Sequence, residues 1–368
     1  MFQIAEMDDE TNLDPAIRAV GRGAVSNRVG RFEAVDRSVV DDGWARQEDE
    51  QILRTEVRFE RPRSLITYNR SPDLPFDRSI NPYRGCEHGC VYCFARPTHA
   101  YLGFSPGLDF ETRLIARPDA ALVLEQELRN RRYKPRPIAI GTNTDPYQPI
   151  EKEHEIMREC LLVLRDFNHP VAIVTKGTLI ERDLDILGPM GQAGLARVGV
   201  SVTTLDARLS RLLEPRAPAP KRRLAMIRAL TEAGVPVRVM SSPVIPGLTD
   251  AELEAILQAG AEAGADAASW IMLRLPREVS PLFQEWLARH YPGRAGKVMR
   301  LVRDMHDSKD YDPEWGRRLR GTGPYAALVA RRFEAAARRL GLDEAQPALR
   351  CDLFEVPLSE GDQPSLFA

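Results

Sequence analysis

The central part of the chain alternates between short apolar runs and longer amphipathic stretches. The short runs are rich in β-branched residues, which predicts buried strands. They lie at Ser79–Gly85, Pro137–Thr142, Val171–Lys176, Arg197–Thr203, Val235–Ser241 and Ala268–Leu275. The stretches between them carry apolar residues at three- and four-residue spacing, which predicts helices. These helices lie at 118–131, 153–166, 181–190, 221–233 and 250–263.

This alternation predicts an α/β fold in which the six strands run parallel. Helices of this length join neighbouring parallel strands through right-handed crossovers. Such strands form either a partial (β/α)6 TIM-type barrel or a doubly wound sheet, and the cluster of cysteines after the first strand favours the barrel, which we expect over residues 54–280. Thr249, followed three residues later by Glu252, predicts a capping box at the start of the last helix.

Three further parts are expected outside the barrel. Residues 1–53 are polar and acidic, which predicts an extended or disordered arm, and residues 346–368 predict a flexible acidic tail. Residues 281–345 predict a C-terminal helical extension with an apolar stripe that docks on the barrel. The stripe consists of Tyr325, Leu328, Val329, Phe333, Ala336 and Leu340.

Composition fits an ordinary globular protein, with 43% hydrophobic and 28% charged residues. The chain contains no apolar run of about 18 residues, so no membrane-spanning helix is expected. The first residues lack the basic head and apolar core of a secretory signal. We therefore expect a cytoplasmic protein.

The net charge of −2 conceals an uneven distribution. Residues 1–50 hold 12 acidic and 6 basic residues, and residues 351–368 hold 4 acidic residues and no base. The 300 residues between them carry a net charge of +8, which is compatible with a nucleic-acid partner. Residues 54–63 surround Phe59 with arginines and predict an exposed strand, with a nucleic-acid contact as the alternative. Residues 294–320 are also basic and could form a rim over the mouth of the barrel.

Three of the five cysteines, Cys86, Cys90 and Cys93, lie within eight residues of one another. Thiolates this close repel one another unless a cation is shared, and an odd number argues against a disulfide framework. A zinc loop would need a fourth ligand, which His88 or His99 could supply. An iron–sulfur cube held by three cysteines would leave one iron open. The separate Cys160 falls on the apolar stripe of a predicted helix and is expected to be a core thiol.

The CxxxCxxC spacing with its neighbouring aromatic residues resembles the radical S-adenosylmethionine superfamily. With GTNTDPYQP, VTKG, LEPRAP and PVIPGLTD, it resembles the spore photoproduct lyase-related (DNA repair photolyase-like) branch, within a bacterial subgroup, from about Tyr68 to Leu275. The resemblance implies a 4Fe–4S cluster on Cys86, Cys90 and Cys93, with S-adenosyl-L-methionine on the open iron. Such an enzyme cleaves this cofactor reductively to a 5′-deoxyadenosyl radical, which abstracts hydrogen from a substrate that the sequence does not identify.

The resemblance also implies roles for six side chains near the cofactor. Tyr92 would lie at the adenine, Thr142, Thr144 and Asp145 beside the methionine amino group, Lys176 at the carboxylate, and Ser201 toward the ribose. Other interpretations remain for three of them. Lys176 fits a solvated lysine at a strand end, Asp145 a turn initiator, and Ser201 a hydroxyl inside the barrel.

The repair reaction of that branch is not implied. It needs a cysteine at the end of the second strand as hydrogen donor, and the sequence here reads AIGTNTDP. A role in DNA repair is therefore one hypothesis, and a radical enzyme that modifies a peptide or small molecule is another. A zinc-stabilised, non-catalytic binding module is the alternative from a different class. The enzyme hypothesis implies an electron donor of the flavodoxin or ferredoxin type.

The end of the sequence suggests a further partner. The segment from Gln363 to Phe367, QPSLF, resembles the pentapeptide that docks bacterial repair proteins on the DNA sliding clamp. Gln363 would enter a polar pocket, and Leu366 and Phe367 an apolar one. Pro364 departs from the leucine usual at that position.

Overall fold

The structure is a computed structural model that describes residues 18–19, 21–32, 50–51 and 53–358. Its strands are β1 (Arg18–Ala19), β2 (Glu50–Gln51), β3 (Glu56–Phe59), β4 (Thr67–Tyr68), β5 (Arg78–Ile80), β6 (Tyr83–Arg84), β7 (Arg113–Ala116), β8 (Ile138–Ile140), β9 (Val171–Thr175), β10 (Ala196–Ser201), β11 (Val237–Val244) and β12 (Ala267–Met272). Its α-helices are α1 (Asp109–Thr112), α2 (Ala120–Leu128), α3 (Glu151–His154), α4 (Ile156–Asp166), α5 (Leu184–Gln192), α6 (Ala207–Leu213), α7 (Pro220–Glu232), α8 (Leu253–Glu262), α9 (Val279–His290), α10 (Pro292–Asp304) and α11 (Gly323–Arg339). Three 3₁₀ helices lie at Arg96–Leu102, Thr178–Asp183 and Asp250–Glu252.

The main sheet has seven strands in the order β4-β5-β8-β9-β10-β11-β12. The strands from β5 onward pair in parallel, and only β4 is antiparallel to its neighbour. The order of the six parallel strands follows the chain without a reversal. A doubly wound sheet would reverse at a switch point, so the predicted partial barrel is confirmed.

Alternate apolar residues on one face of the parallel strands, such as Ile173 and Val198, form the main core with the crossover helices that cover that face. Helix α4 contributes the fully buried Met157, Cys160, Leu161 and Leu164 to this core. Cys160 is therefore the core thiol that the sequence predicted, and burial raises its pKa above the ordinary range.

The predicted capping box at Thr249 is wrong. A 3₁₀ turn precedes α8, so Thr249 does not stand at the start of the helix, and its hydroxyl accepts from the backbone N–H of Ile245 at 2.9 Å. Glu252 instead accepts from the Thr204 hydroxyl at 2.7 Å and from the Leu205 N–H at 2.6 Å. The glutamate therefore fixes the loop that follows β10.

A second, three-stranded sheet in the order β3-β7-β6 flanks the barrel. Strand β3 is largely exposed, as predicted for residues 54–63. The first predicted strand divides between the two sheets, because β5 ends at Ile80 and β6 begins at Tyr83. Pro82 lies between them and has no N–H to donate to a sheet.

The C-terminal helices cover the edge of the main sheet at β12. Helix α11 packs against α8 and β12, and Val329 and Ala336 of the predicted stripe are buried, whereas Leu328 is exposed. The carbonyl oxygens of Leu319 and Leu342 accept from the N–H groups of Met272 and Ala268, at 2.9 and 3.0 Å. The edge strand is therefore protected against further pairing.

Both predicted terminal segments include residues that pack against the barrel. Residues 21–32 lie over the loop after β6, and the Arg350 N–H bonds to the Gly194 carbonyl at 2.9 Å. A boundary at residue 346 thus does not separate residues 346–358 from the barrel, and the domain division as a whole stays a prediction. The clamp-like pentapeptide from Gln363 to Phe367 lies outside the described residues. Among the described helices, none has the length and hydropathy of a membrane span.

Candidate metal and cofactor site

The carboxyl ends of the parallel strands meet at one end of the barrel, where the cysteine loop (residues 85–94) also lies. Cys86 and Cys90 are buried and Cys93 is partly exposed. Burial, Asp145 and the other two cysteines raise the pKa of Cys86 well above its ordinary value. Burial in particular also raises the pKa of Cys90, to about 12.

The three thiols fit a thiolate-bound metal or cluster. Within the described ranges, none of them donates a hydrogen bond to a protein acceptor. Without a cation, the buried site disfavours the thiolate form, whereas a bound metal deprotonates a thiol outright. Soft thiolate ligands of this kind select zinc or an iron–sulfur cluster.

Gln148, from the loop after β8, clamps the cysteine loop. Its side-chain oxygen accepts from the Glu87 N–H at 2.9 Å, and its side-chain nitrogen donates to the Gly85 carbonyl at 3.2 Å. Gln148 is fully buried. Gln148 lies in the motif GTNTDPYQP, but the sequence indicated no role for it.

A buried ion pair holds the other side of the loop. Arg96 donates to the carbonyl oxygens of Cys90 at 2.9 Å and Gly89 at 3.3 Å. Its guanidinium pairs with Glu111 at 2.5 Å, and both side chains are fully buried. Arg96 therefore fixes the backbone at Gly89 and Cys90, next to two of the cysteines. Neither residue was singled out from the sequence.

Residues 21–32, which we call the N-terminal strap, complete this support. The Gly23 and Ala24 N–H groups donate to the two carboxylate oxygens of Glu111 at 2.9 and 2.8 Å. A methyl group on Gly23 would lie 1.7 Å from the Gly89 carbonyl oxygen. The strap therefore touches the cysteine loop directly and belongs to the same body.

Asp145 joins the ends of strands β8 and β9 to the cysteine loop. Its carboxylate accepts from the N–H groups of Tyr147 and Lys176 at 2.9 and 2.8 Å and from the Thr175 hydroxyl at 2.6 Å. His88 lies 3.3 Å away. Burial opposes ionisation, but His88 and these hydrogen bonds lower the pKa of Asp145 to about 2. Its oxygens are thus already bonded within the protein.

The hydroxyl groups predicted near the cofactor differ in their surroundings. Thr144 is buried and donates to the Tyr83 carbonyl at 3.0 Å, and Ser201 is buried and donates to the Ser242 carbonyl at 2.9 Å. Thr142 is partly exposed and makes no side-chain hydrogen bond within the described ranges. Of these three, only Thr142 has its donor free for a ligand.

Glu214, from the LEPRAP motif, is the centre of a buried network. It accepts from the hydroxyl groups of Tyr92 and Thr203, the latter at 2.7 Å, and pairs with Arg223. Burial opposes its ionisation, but Arg223 and then Lys176 lower its pKa to about 2. The Tyr92 hydroxyl, predicted to lie at the adenine, is therefore engaged by Glu214, a residue for which the sequence indicated no role.

Lys176 lies between this network and the cysteines. Its ammonium nitrogen is 5.9 Å from the centre of the Tyr92 ring. Burial acts to lower the pKa of Lys176, but Cys90 and Glu214 outweigh it and raise the pKa. The structure thus brings Lys176, Tyr92 and Cys90 together, as their predicted roles require. Those roles stay predictions.

Several known proteins are similar to this chain in sequence or in fold. A family profile described as the radical SAM superfamily matches residues 80–259. An uncharacterised protein of Mycobacterium tuberculosis is 41% identical over 232 residues, which cover 62% of this chain and 68% of that protein. An uncharacterised protein of Methanocaldococcus jannaschii is 27% identical over 173 residues, 47% of this chain and 62% of that protein.

Among solved structures, spore photoproduct lyase complexed with dinucleoside spore photoproduct has the same fold. It superposes with a TM-score of 0.54 and 17% identity, over 77% of this chain and 79% of that one. The family profile, the similarity to the M. tuberculosis protein and the parallel barrel agree with the three-cysteine loop. The chain belongs to the radical SAM superfamily, whose members are enzymes that use an iron–sulfur cluster and S-adenosylmethionine.

Proposed function

We propose that Cys86, Cys90 and Cys93 hold a 4Fe–4S cluster, and that the enzyme acts on a substrate linked to nucleic acid. The observation that carries the cluster is the set of three thiols without protein acceptors, on one loop at the mouth of a parallel barrel. When bound, the cluster and S-adenosylmethionine supply a 5′-deoxyadenosyl radical that abstracts hydrogen from the substrate.

The protein's own residues bind and orient this cofactor. Lys176 offers a positive charge beside Cys90, suited to a carboxylate, and Thr142 offers a hydroxyl with no protein partner among the described residues. Tyr92, held by Glu214, presents a fixed ring to the same space. Gln148 and Arg96 hold the loop backbone, so the thiols need little reorganisation when a cluster binds.

One observation favours a cluster over the alternative of a zinc-stabilised binding module. In the part of the chain that the structure describes, no three His, Cys, Asp or Glu side chains converge as ligands of one ion. A cluster gives each cysteine a separate iron and does not require that convergence.

The link to nucleic acid rests on charge and on the structural neighbour. The chain between residues 51 and 350 carries a net charge of +8, and the neighbouring lyase binds a dinucleoside photoproduct. The loop after β8 has no cysteine, so repair of spore thymine lesions is not proposed. A role in DNA repair also agrees with the clamp-like segment that contains Gln363, Leu366 and Phe367. Reductive cleavage of the cofactor needs an electron donor of the flavodoxin or ferredoxin type. A peptide or small-molecule substrate is the alternative.

Metal analysis after anaerobic reconstitution tests the cluster. We expect iron and sulfide in the wild-type protein and in a Cys351→Ala control, whose thiol lies far from the loop in sequence and is bonded to the Leu349 carbonyl. Cys90→Ala should lose most of both. One zinc per chain without sulfide would contradict the proposal. Stimulation of cofactor cleavage by added DNA, compared with added peptide, tests the substrate class.

A further inference from the structure

Two loops beside Cys93 carry exposed aromatic rings paired with arginines. Phe94 directly follows Cys93 and is 46% exposed, and Tyr101, in the 3₁₀ helix Arg96–Leu102, is 66% exposed. The loop after β12 places the Arg274 guanidinium 4.3 Å from the centre of the Phe94 ring. Arg277, three residues further on, donates to the Tyr101 hydroxyl at 3.5 Å. We call these four side chains the mouth rim.

The N-terminal strap supports the mouth rim from one side. The Phe32 and Tyr101 rings lie 5.2 Å apart, and the Arg31 guanidinium lies over both rings, at 5.3 and 5.5 Å. Arg31 is itself fixed by Glu278 at 2.6 Å. Tyr101 is thus held in place while most of its surface stays open to solvent.

The two arginines of the mouth rim carry positive charge that is not neutralised by an ion pair within the described part of the chain. Arg274 and Arg277 have no carboxylate partner among the residues that the structure describes. In the predicted basic segment 294–320, three of the six arginines are neutralised. Arg303 pairs with Asp310, Arg317 with Asp307, and Arg318 with Asp73.

We infer that the mouth rim binds an unpaired stretch of nucleic acid, which rests on the nucleic-acid link proposed above. Phe94 and Tyr101 offer faces on which bases of any kind stack. Arg274 and Arg277 offer guanidinium groups that bind phosphate. A base on Phe94 would lie next to the cysteine loop, so the rim would bring an unstacked nucleotide to the site. Duplex DNA does not offer free base faces to these rings, because its bases already stack on one another.

Binding of a labelled oligothymidylate, followed by fluorescence anisotropy on reconstituted protein, tests the rim. Tyr101→Leu and Phe94→Leu keep apolar bulk but remove the ring, and each should weaken binding about fivefold or more. Arg277→Gln should weaken binding and reduce the slope of log affinity against log salt by about one. Tyr68→Leu is the matched control, because Tyr68 is 62% exposed beneath Arg78, at the opposite edge of the main sheet. It should bind like the wild type.

Three results would overturn the inference: rim variants that bind like the Tyr68→Leu control, tighter binding of a duplex than of the single strand, or equal binding of polyglutamate. The last two would mean that the surface recognises charge rather than bases. Iron content and cofactor cleavage are measured on the same preparations. Loss of oligonucleotide binding only in rim variants, in a protein without iron, would support the rim and contradict the proposed cluster. If the protein holds iron and cleaves the cofactor but the rim variants bind the oligonucleotide like the wild type, the result would support the proposed cluster and contradict the rim.

Discussion

Gly23 of the N-terminal strap lies directly against the carbonyl oxygen of Gly89, between two of the site cysteines. A methyl group at Gly23 would lie 1.7 Å from that oxygen, so only glycine allows the strap to come so close. Glu111 accepts from the Gly23 N–H and pairs with Arg96, which binds the loop from the other side. The strap and the cysteine loop therefore cannot move independently at this point.

Gly23→Ala should displace the strap and loosen the cysteine loop. We expect less iron per chain after anaerobic reconstitution and faster loss of the cluster absorbance in air than in the wild type. Gly296→Ala is the control, because a methyl group there meets no atom within 4 Å. Iron retention in Gly23→Ala equal to that of Gly296→Ala would show that the close approach does not support the site.

Gln148→Leu should leave the Glu87 N–H and the Gly85 carbonyl without their partner in a buried place. Each unpaired group costs about 1–3 kcal/mol. We therefore expect a lower free energy of unfolding in urea and a lower iron content. Gln258→Leu, on the exposed face of α8, is the control. Normal iron loading of Gln148→Leu would contradict a clamping role for this residue.

Glu214→Gln should leave the buried Arg223 guanidinium without its counter-charge. Breaking a buried pair by removing one partner costs about 3–5 kcal/mol in the free energy of unfolding. The exposed pair of Glu181 and Arg222, 3.0 Å apart, provides the comparison, since Glu181→Gln should cost at most about 1 kcal/mol. Equal effects of the two substitutions, measured by urea unfolding, would argue against a central role for Glu214.

The buried His169 should make the free energy of unfolding depend on pH. It is fully buried, contacts the Tyr133 hydroxyl at 2.7 Å, and has its pKa lowered by burial to about 4. The unfolded chain binds the proton near the ordinary pKa of about 6.5. Stability is therefore fully present above pH 6.5 and decreases as the pH falls toward 4, by at most about 1.4 kcal/mol per pH unit from this group.

His169→Gln should flatten this dependence, whatever its effect on stability at neutral pH. Urea unfolding of both proteins at a series of pH values provides the measurement. Parallel curves for wild type and variant between pH 6.5 and 4 would mean that His169 does not titrate as its burial requires.

The strands of the barrel could be predicted because each is a short apolar run with one face buried in the main core. The division of the first strand into β5 and β6, and the short strand β7, could not, since they depend on pairing in the second sheet. Thr249 and Glu252 have capping-box spacing, but a tertiary contact with the loop at Thr204 determines where Glu252 bonds. Local sequence patterns do not contain such contacts.

The cysteines could be identified from their spacing alone, but the residues that hold them could not. The strap contributes backbone N–H groups, at Gly23 and Ala24, which have no side-chain signature in a sequence. Glu111 and Arg96 look like surface residues of a polar loop until the fold buries them together. Glu214 lies in the LEPRAP motif, but its hydrogen bond with Tyr92 joins residues 122 positions apart and appears only in three dimensions.

The most direct test of the account is the formation of 5′-deoxyadenosine from S-adenosylmethionine by anaerobically reconstituted, chemically reduced protein. The wild type and Cys351→Ala should form this product, and Cys86→Ala, Cys90→Ala and Cys93→Ala should not. Absence of the product from a wild-type protein with a full complement of iron and sulfide would contradict the account. So would equal product formation by the three loop variants.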